Sequence, residues 1–156
     1  MEYTDYWVVR GDAAKVRATL AKVAAEGVVI DGVGELVPFV IDGHTEKKLL
    51  KNFDWLLRVW DAEGSAWGFD LYVKGKMVTQ AIYGENAEWG IDEDDNGFDG
   101  DIDESATLLG TTKKKLENCL DESGVEKFCK AVGFEHHYML YPRDLPGEVM
   151  LLSEMT

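Results

Sequence analysis

TEKKLLKNFDWLLRVWDAEG, residues 45–64, decides how much of this chain is helix and how much is sheet. Leu49, Leu50, Phe53, Leu56, Leu57 and Trp60 fall at the spacing i, i+1, i+4, i+7, i+8, i+11. That spacing places them on one stripe of a helix, with Lys47, Lys48, Lys51, Asp54 and Arg58 off it. Trp55 and Val59 make a minor second stripe, so the stretch is predicted to be one helix that touches two surfaces.

Downstream, WGFDLYVKGKMVTQAIYG (67–84) is rich in aromatic and β-branched residues, with a break at Lys74-Gly75. It predicts a hairpin with a two-residue loop. In that register Leu71 faces Val78, and Trp67 faces Ile82. Upstream, YTDYWVVRG (3–11) predicts a first strand. Asp12 caps a helix over 13–26, whose Val16, Leu20, Val23 and Ala24 lie on one face and which Gly27 ends. The segment 28–43 holds two apolar runs, and Pro38 inside the second marks an edge strand or a non-strand.

Beyond the hairpin, Asp101 and Glu104 have capping-box spacing ahead of a short helix ending at Gly110. Thr111 or Thr112 opens a second helix over 113–121, with Leu116, Cys119 and Leu120 inward. Ser123 and Glu126 open a third, whose stripe is Val125, Phe128, Cys129 and Val132 and whose stop is Gly133. FEHHYMLYP (134–142) predicts a last strand. The expected fold is therefore a single α+β domain over 1–156, with a mainly antiparallel sheet and helices packed on one face. An acidic loop at 85–104 belongs to that domain.

Charge is the strongest functional signal. The formal net charge is −14. Ten acids lie between Glu85 and Glu104, and no base lies between Met77 and Thr112. This one window thus carries −10 of the −14. Such a field argues against a nucleic-acid backbone and against an anionic membrane as partner. It suits a basic protein or a divalent cation. Trp89 and Phe98 are interleaved with Asp92, Glu93, Asp94, Asp95, Asp99 and Asp101. Aromatics among acids suit an interface, with anchors inside a charged rim. The same aromatics equally suit pins that hold the loop to the domain's own core. Small acidic domains include inhibitors and immunity proteins that neutralise basic partners such as nuclease toxins, an analogy of charge and size alone.

The spacing within this segment also bears on cations. Counting from Asp92, Asp94 stands at position 3, Asn96 at 5, Gly97 at 6, Phe98 at 7 with its carbonyl, and Asp103 at 12. Over these twelve residues the segment resembles in part the calcium loop of an EF-hand, which takes oxygen ligands at 1, 3, 5, 7, 9 and 12 around a glycine at 6. It departs from that pattern at Asp99, where an apolar residue is usual, at Gly100, which offers no side-chain ligand, and at Asp103, where a Glu is usual. It also enters from a hairpin rather than a helix. The resemblance implies at most a weakly bound calcium ion; no other cofactor is expected.

No catalytic constellation stands out. His136 and His137 are adjacent, so on a strand they point to opposite faces. Cys119 and Cys129 lie on apolar helix stripes and read as inert thiols. A small enzyme with a dispersed carboxylate and His site is the remaining alternative. The start of the chain shows no basic leader before an apolar run, and no run of 18 apolar residues occurs, so a cytoplasmic protein is expected. Nothing in the sequence bears on oligomeric state.

Overall fold

The computed structural model describes residues 3–23, 27–30, 35–41, 46–62, 66–84, 96–121, 124–136 and 149–151. Among these residues, eight strands form one sheet: β1 (Tyr3–Arg10), β2 (Gly27–Ile30), β3 (Leu36–Ile41), β4 (Trp55–Ala62), β5 (Ala66–Val73), β6 (Lys76–Gly84), β7 (Gly97–Asp99) and β8 (Val149–Leu151). Their order across the sheet is β7-β6-β5-β4-β1-β3-β2-β8, and every neighbouring pair is antiparallel. The helices are α1 (Ala13–Val23), α2 (Glu46–Asn52), α3 (Ile102–Leu109), α4 (Lys113–Cys119) and α5 (Val125–Val132).

The 45–64 stretch is not one helix. Its first part is α2, and from Trp55 it becomes β4, a strand at the middle of the sheet between β1 and β5. The helical stripe would place Leu56 and Leu57 side by side. The strand instead sends them to opposite faces, and both are fully buried. This is possible because both faces are covered at that point. A strand buried on both faces is a continuous apolar run, which satisfies helical and extended templates alike.

The α+β class and the antiparallel sheet are as expected. One helical layer, α3 to α5, covers the first face. There Tyr6, Val59, Phe69 and Ala81 pack under Leu109, Leu116, Phe128 and Cys129. The expectation of helices on one face describes this layer. α1 and α2 lie on the second face, where Val16, Leu20 and Leu49 cover Val9, Val37, Phe39 and Leu56.

Caps were well marked in the sequence. Asp12 accepts from the Lys15 amide at 3.2 Å, Asp101 from Glu104 at 2.9 Å and Thr112 from Lys115 at 3.2 Å. Gly110 and Gly133 end α3 and α5 at φ +77 and +119. The fourth expected cap, Ser123, and residues 137–142 of the expected last strand lie outside the described residues, and Gly124 stands at the cap position of α5. Phe134–His136 are not strand, and the C-terminal strand comes later, as β8 on the β2 edge. Pro38 is inside an interior strand rather than at the sheet's edge. The β2 ladder stops at Val29↔Phe39, one residue before Pro38, so the proline sits where β3 is locally unpaired on that side.

The hairpin turns at Lys74-Gly75 as expected, with φ +52 and +79. Its register agrees only next to the turn. A bulge between Leu71 and Tyr72 puts Thr79 opposite Leu71 and Tyr83 opposite Trp67. A one-residue slip exchanges the two faces of a strand. Thr79 and Ala81 are therefore buried on β6 instead of the expected Val78 and Ile82, although Val78 still packs half-buried against the first-face core. Lys74 holds a left-handed conformation that asparagine tolerates better. Lys74→Asn is expected to raise the urea midpoint, a gain of about 0.5 kcal/mol. An unchanged midpoint would mean that the lysine stem contributes packing of equal size.

Candidate functional site

Trp89, Asp92, Glu93, Asp94 and Asp95 lie outside the described residues. The rest of the acidic segment is tied to the sheet. Gly97–Asp99 pairs with β6 as the edge strand β7. Phe98 turns to the first face, where its ring lies 6.4 Å from that of Phe69 and packs on the core. Asp99, the next residue, is exposed. Asp101 is spent as the cap of α3, while Asp103 and Glu104 occupy its first turn, where negative charge meets the positive helix end. Asp103 approaches Lys113 at 3.9 Å, an exposed pair of little energetic weight. Asn96 carries a buried side-chain oxygen with no hydrogen-bond partner.

The antiparallel registers line residues into rows across the sheet. One row on the first face runs Tyr6, Val59, Phe69, Ala81, Phe98 and is apolar throughout. The adjacent row on the second face runs Trp7, Arg58, Asp70, Gln80, Asp99. On the other side of Trp7 it continues through Phe39 and Val29 into the apolar cluster under α1 and α2. The second face is therefore divided. Along this row its β1–β3 part is apolar and helix-covered, and its β4–β7 part is polar and ends in the acidic segment.

The polar half has a specific geometry. Arg58 donates to Asp5 through Nε at 2.9 Å and through a terminal nitrogen at 2.5 Å. Its guanidinium lies 5.6 Å from the Trp7 ring. Trp7 stands 6.1 Å from Tyr72, whose hydroxyl donates to Glu46 at 3.2 Å. The Trp60 ring lies over Gly68, where a Cβ would come within 2.5 Å of it. Asp70 is only 7% exposed. Gln80 hydrogen bonds to its carboxylate, yet Oδ1 has no partner. Burial pushes the Asp70 carboxyl above the usual range, against the lowering effects of Gln80 and Arg58. Burial, then the Asp70 and Glu46 charges, push the Tyr72 phenol up to about 12.

A raised carboxyl binds its proton more tightly in the folded state than in the unfolded one. Its contribution to stability is present below the unfolded value near 3.8 and is lost as pH rises through the folded value. At neutral pH the buried charge therefore destabilises the domain. Asp70→Asn is expected to raise the urea midpoint at pH 7, with the gain shrinking toward zero below pH 4, as denaturation curves at the two pH values would read. A loss of stability at pH 7 would contradict this.

The first face holds a second polar group. Tyr6 Oη lies 2.8 Å from His136 Nδ1, and His136 Nε2 lies 3.2 Å from Asp61 Oδ2. A neutral imidazole satisfies both by donating from Nε2 and accepting the Tyr6 proton at Nδ1. The Cys129 thiol is 3.6 Å from the Tyr6 hydroxyl. All four side chains are buried, and they fasten the exit of α5 to β1 and β4. Both cysteines are free and buried. Burial pushes Cys119 up to about 11 and Cys129 higher, so both remain protonated thiols at neutral pH, in keeping with inert cysteines. An open cleft of about 530 Å³ lies between Arg10, Glu35, Leu36, Leu109 and Val132. Arg10 is engaged there, donating to the Leu108 carbonyl at 2.7 Å and stacking 4.3 Å over Trp55.

Asp5, Arg58 and Asp70 are not legible as a group in the sequence. Arg58 was hidden because β4 reads as helix, and its partner Asp5 is 53 residues away. A charged Asp70 in the middle of an apolar strand was the available signal. Among the described residues, no three His, Cys, Asp or Glu side chains cluster so as to hold a metal ion, and no helix is long and apolar enough to cross a membrane. No known protein family, characterised protein or solved structure matches this chain.

Proposed function

We propose that this is a non-enzymatic, acidic binding domain of the cytoplasm that neutralises a basic protein, in the manner of an inhibitor or immunity protein directed at a nuclease toxin. One observation carries the reading: ten carboxylates between residues 85 and 104, with no base among them. The anchoring of β7 to the sheet supports it, since Asp99, Asp101, Asp103 and Glu104 are all exposed on elements of fixed geometry. A clustered field of one sign steers an oppositely charged partner and raises its association rate. In a pull-down from the native host, the domain is expected to retain a partner of high isoelectric point at low ionic strength and release it as salt is raised. The variant Asp92→Asn, Asp94→Asn, Asp95→Asn, Asp99→Asn should lose it. If that variant keeps every partner, the acidic-surface reading fails.

A cation-binding module is the second reading, favoured by Asn96. This third expected calcium ligand has a buried oxygen lacking a partner, and Asp103, the last, stands in the first turn of the following helix. Calcium bound only by the folded state must raise the melting temperature. No shift and no heat of binding at millimolar calcium would end this reading.

A further inference from the structure

We propose that the polar half of the sheet's second face, centred on Asp70, receives an arginine side chain of the basic partner. The inference rests on the acidic-surface reading and names the chemistry that would give it specificity. The first observation is the unpartnered Oδ1 of Asp70, a carboxylate oxygen buried within a row of polar residues. A buried charge in this position is costly unless a donor meets it. The second is the local charge balance: among the described residues, the charges acting on Asp70 are the anions Asp5 and Glu46 and the cation Arg58. The third is the aromatic setting. Arg58 already shows how this face holds a guanidinium, with a carboxylate fork on one side and the Trp7 ring on the other.

A second guanidinium meets the same chemistry at Asp70. Its planar donors can reach Oδ1 while its face lies against Trp60 or Tyr72, which an ammonium does less well. Asp70 is buried, its neighbours Gln80 and Tyr72 are half-buried, and Gln80 hydrogen bonds to the carboxylate, so side chains at this site must shift for the ligand to reach Oδ1. Asp99 lies two strands from Asp70 in the same row, about 10 Å away at the usual strand spacing. At that range it steers the cation and does not bind it directly. The acidic segment supplies attraction, and Asp70 supplies the discrimination between arginine and lysine.

The test is calorimetry on the full chain at low salt with two capped peptides of equal charge, one with four arginines spaced by glycines and one with lysines in their place. The native chain should bind the arginine peptide about fivefold more tightly than the lysine peptide. Asp70→Asn should weaken the arginine peptide about fivefold, leave the lysine peptide nearly unchanged and so erase the preference. The Asn variant should melt no lower than the native chain, which separates lost binding from lost folding. The fourfold variant of the acidic segment should weaken both peptides. Equal affinity for the two peptides, a preference that survives Asp70→Asn, or no binding at all would overturn the inference. If only the fourfold variant loses binding, the acidic-surface reading stands without it.

Discussion

Gly124→Ala is expected to destabilise the domain by about 3 kcal/mol or more and to lower its melting temperature by roughly 10 °C. Gly124 caps α5 with ordinary backbone angles, φ −85 and ψ −5, so conformational freedom is not the reason for glycine here. Space is the reason. A Cβ would overlap the Cys119 carbonyl oxygen, come within 2.7 Å of its carbon and press on the Trp67 ring at 3.1 Å. The obstacle is backbone at the end of α4, so no rotamer change relieves it. Serine, ordinarily a better helix cap, should fail for the same reason. Gly97 is the control: a Cβ there meets nothing within 4 Å, and Gly97→Ala should stay within about 0.5 kcal/mol of the native chain. Thermal melts of the two variants read the contrast directly. A Gly124→Ala melt close to that of Gly97→Ala would show that the α4–α5 junction is looser than its geometry requires.

Phe128→Ala is expected to cost about 3 to 5 kcal/mol, enough to leave little folded protein at a moderate urea concentration. The Phe128 ring stacks on Phe69 at 4.2 Å with planes 13° apart, and Trp67 lies 5.5 Å away. It is the contact through which α5 grips the centre of the sheet, and all three rings are buried. Truncation leaves a cavity between a sheet and a helix that cannot collapse independently. Phe128→Leu should recover more than half of the loss, because it refills most of the volume. Urea denaturation of the two variants separates cavity from shape. Equal losses would mean that the stacking geometry, not the volume, carries the contact.

The readable parts of this fold are those whose cause is local. Asp12, Asp101 and Thr112 cap helices because their side chains reach an amide three residues on, and Gly110 and Gly133 end helices because they adopt left-handed backbone. Lys74-Gly75 turns the hairpin between neighbours in sequence. The failures are equally physical. β4 reads as helix because burial on both faces removes the alternation that identifies a strand. The inward face of β6 is not legible because one bulged residue leaves no mark in the sequence. Pro38 reads as an edge residue because nothing local says that the β2–β3 ladder ends one pair short of it.

The candidate site divides along the same line. The sequence by itself determined where the charge is: ten carboxylates within twenty residues, a property that needs no fold to be true. Phe98 illustrates what it left open, since an aromatic among acids suits an anchor or a pin, and only the tertiary structure laid its ring on Phe69. Only the tertiary structure, too, brought Asp5, Arg58, Asp70, Gln80 and Asp99 into one neighbourhood. Those residues come from five strands and 95 positions of chain, joined by ladder registers that a single bulge can shift. Charge is a sum over residues, whereas a buried carboxylate oxygen without a partner exists only once neighbours have been put around it.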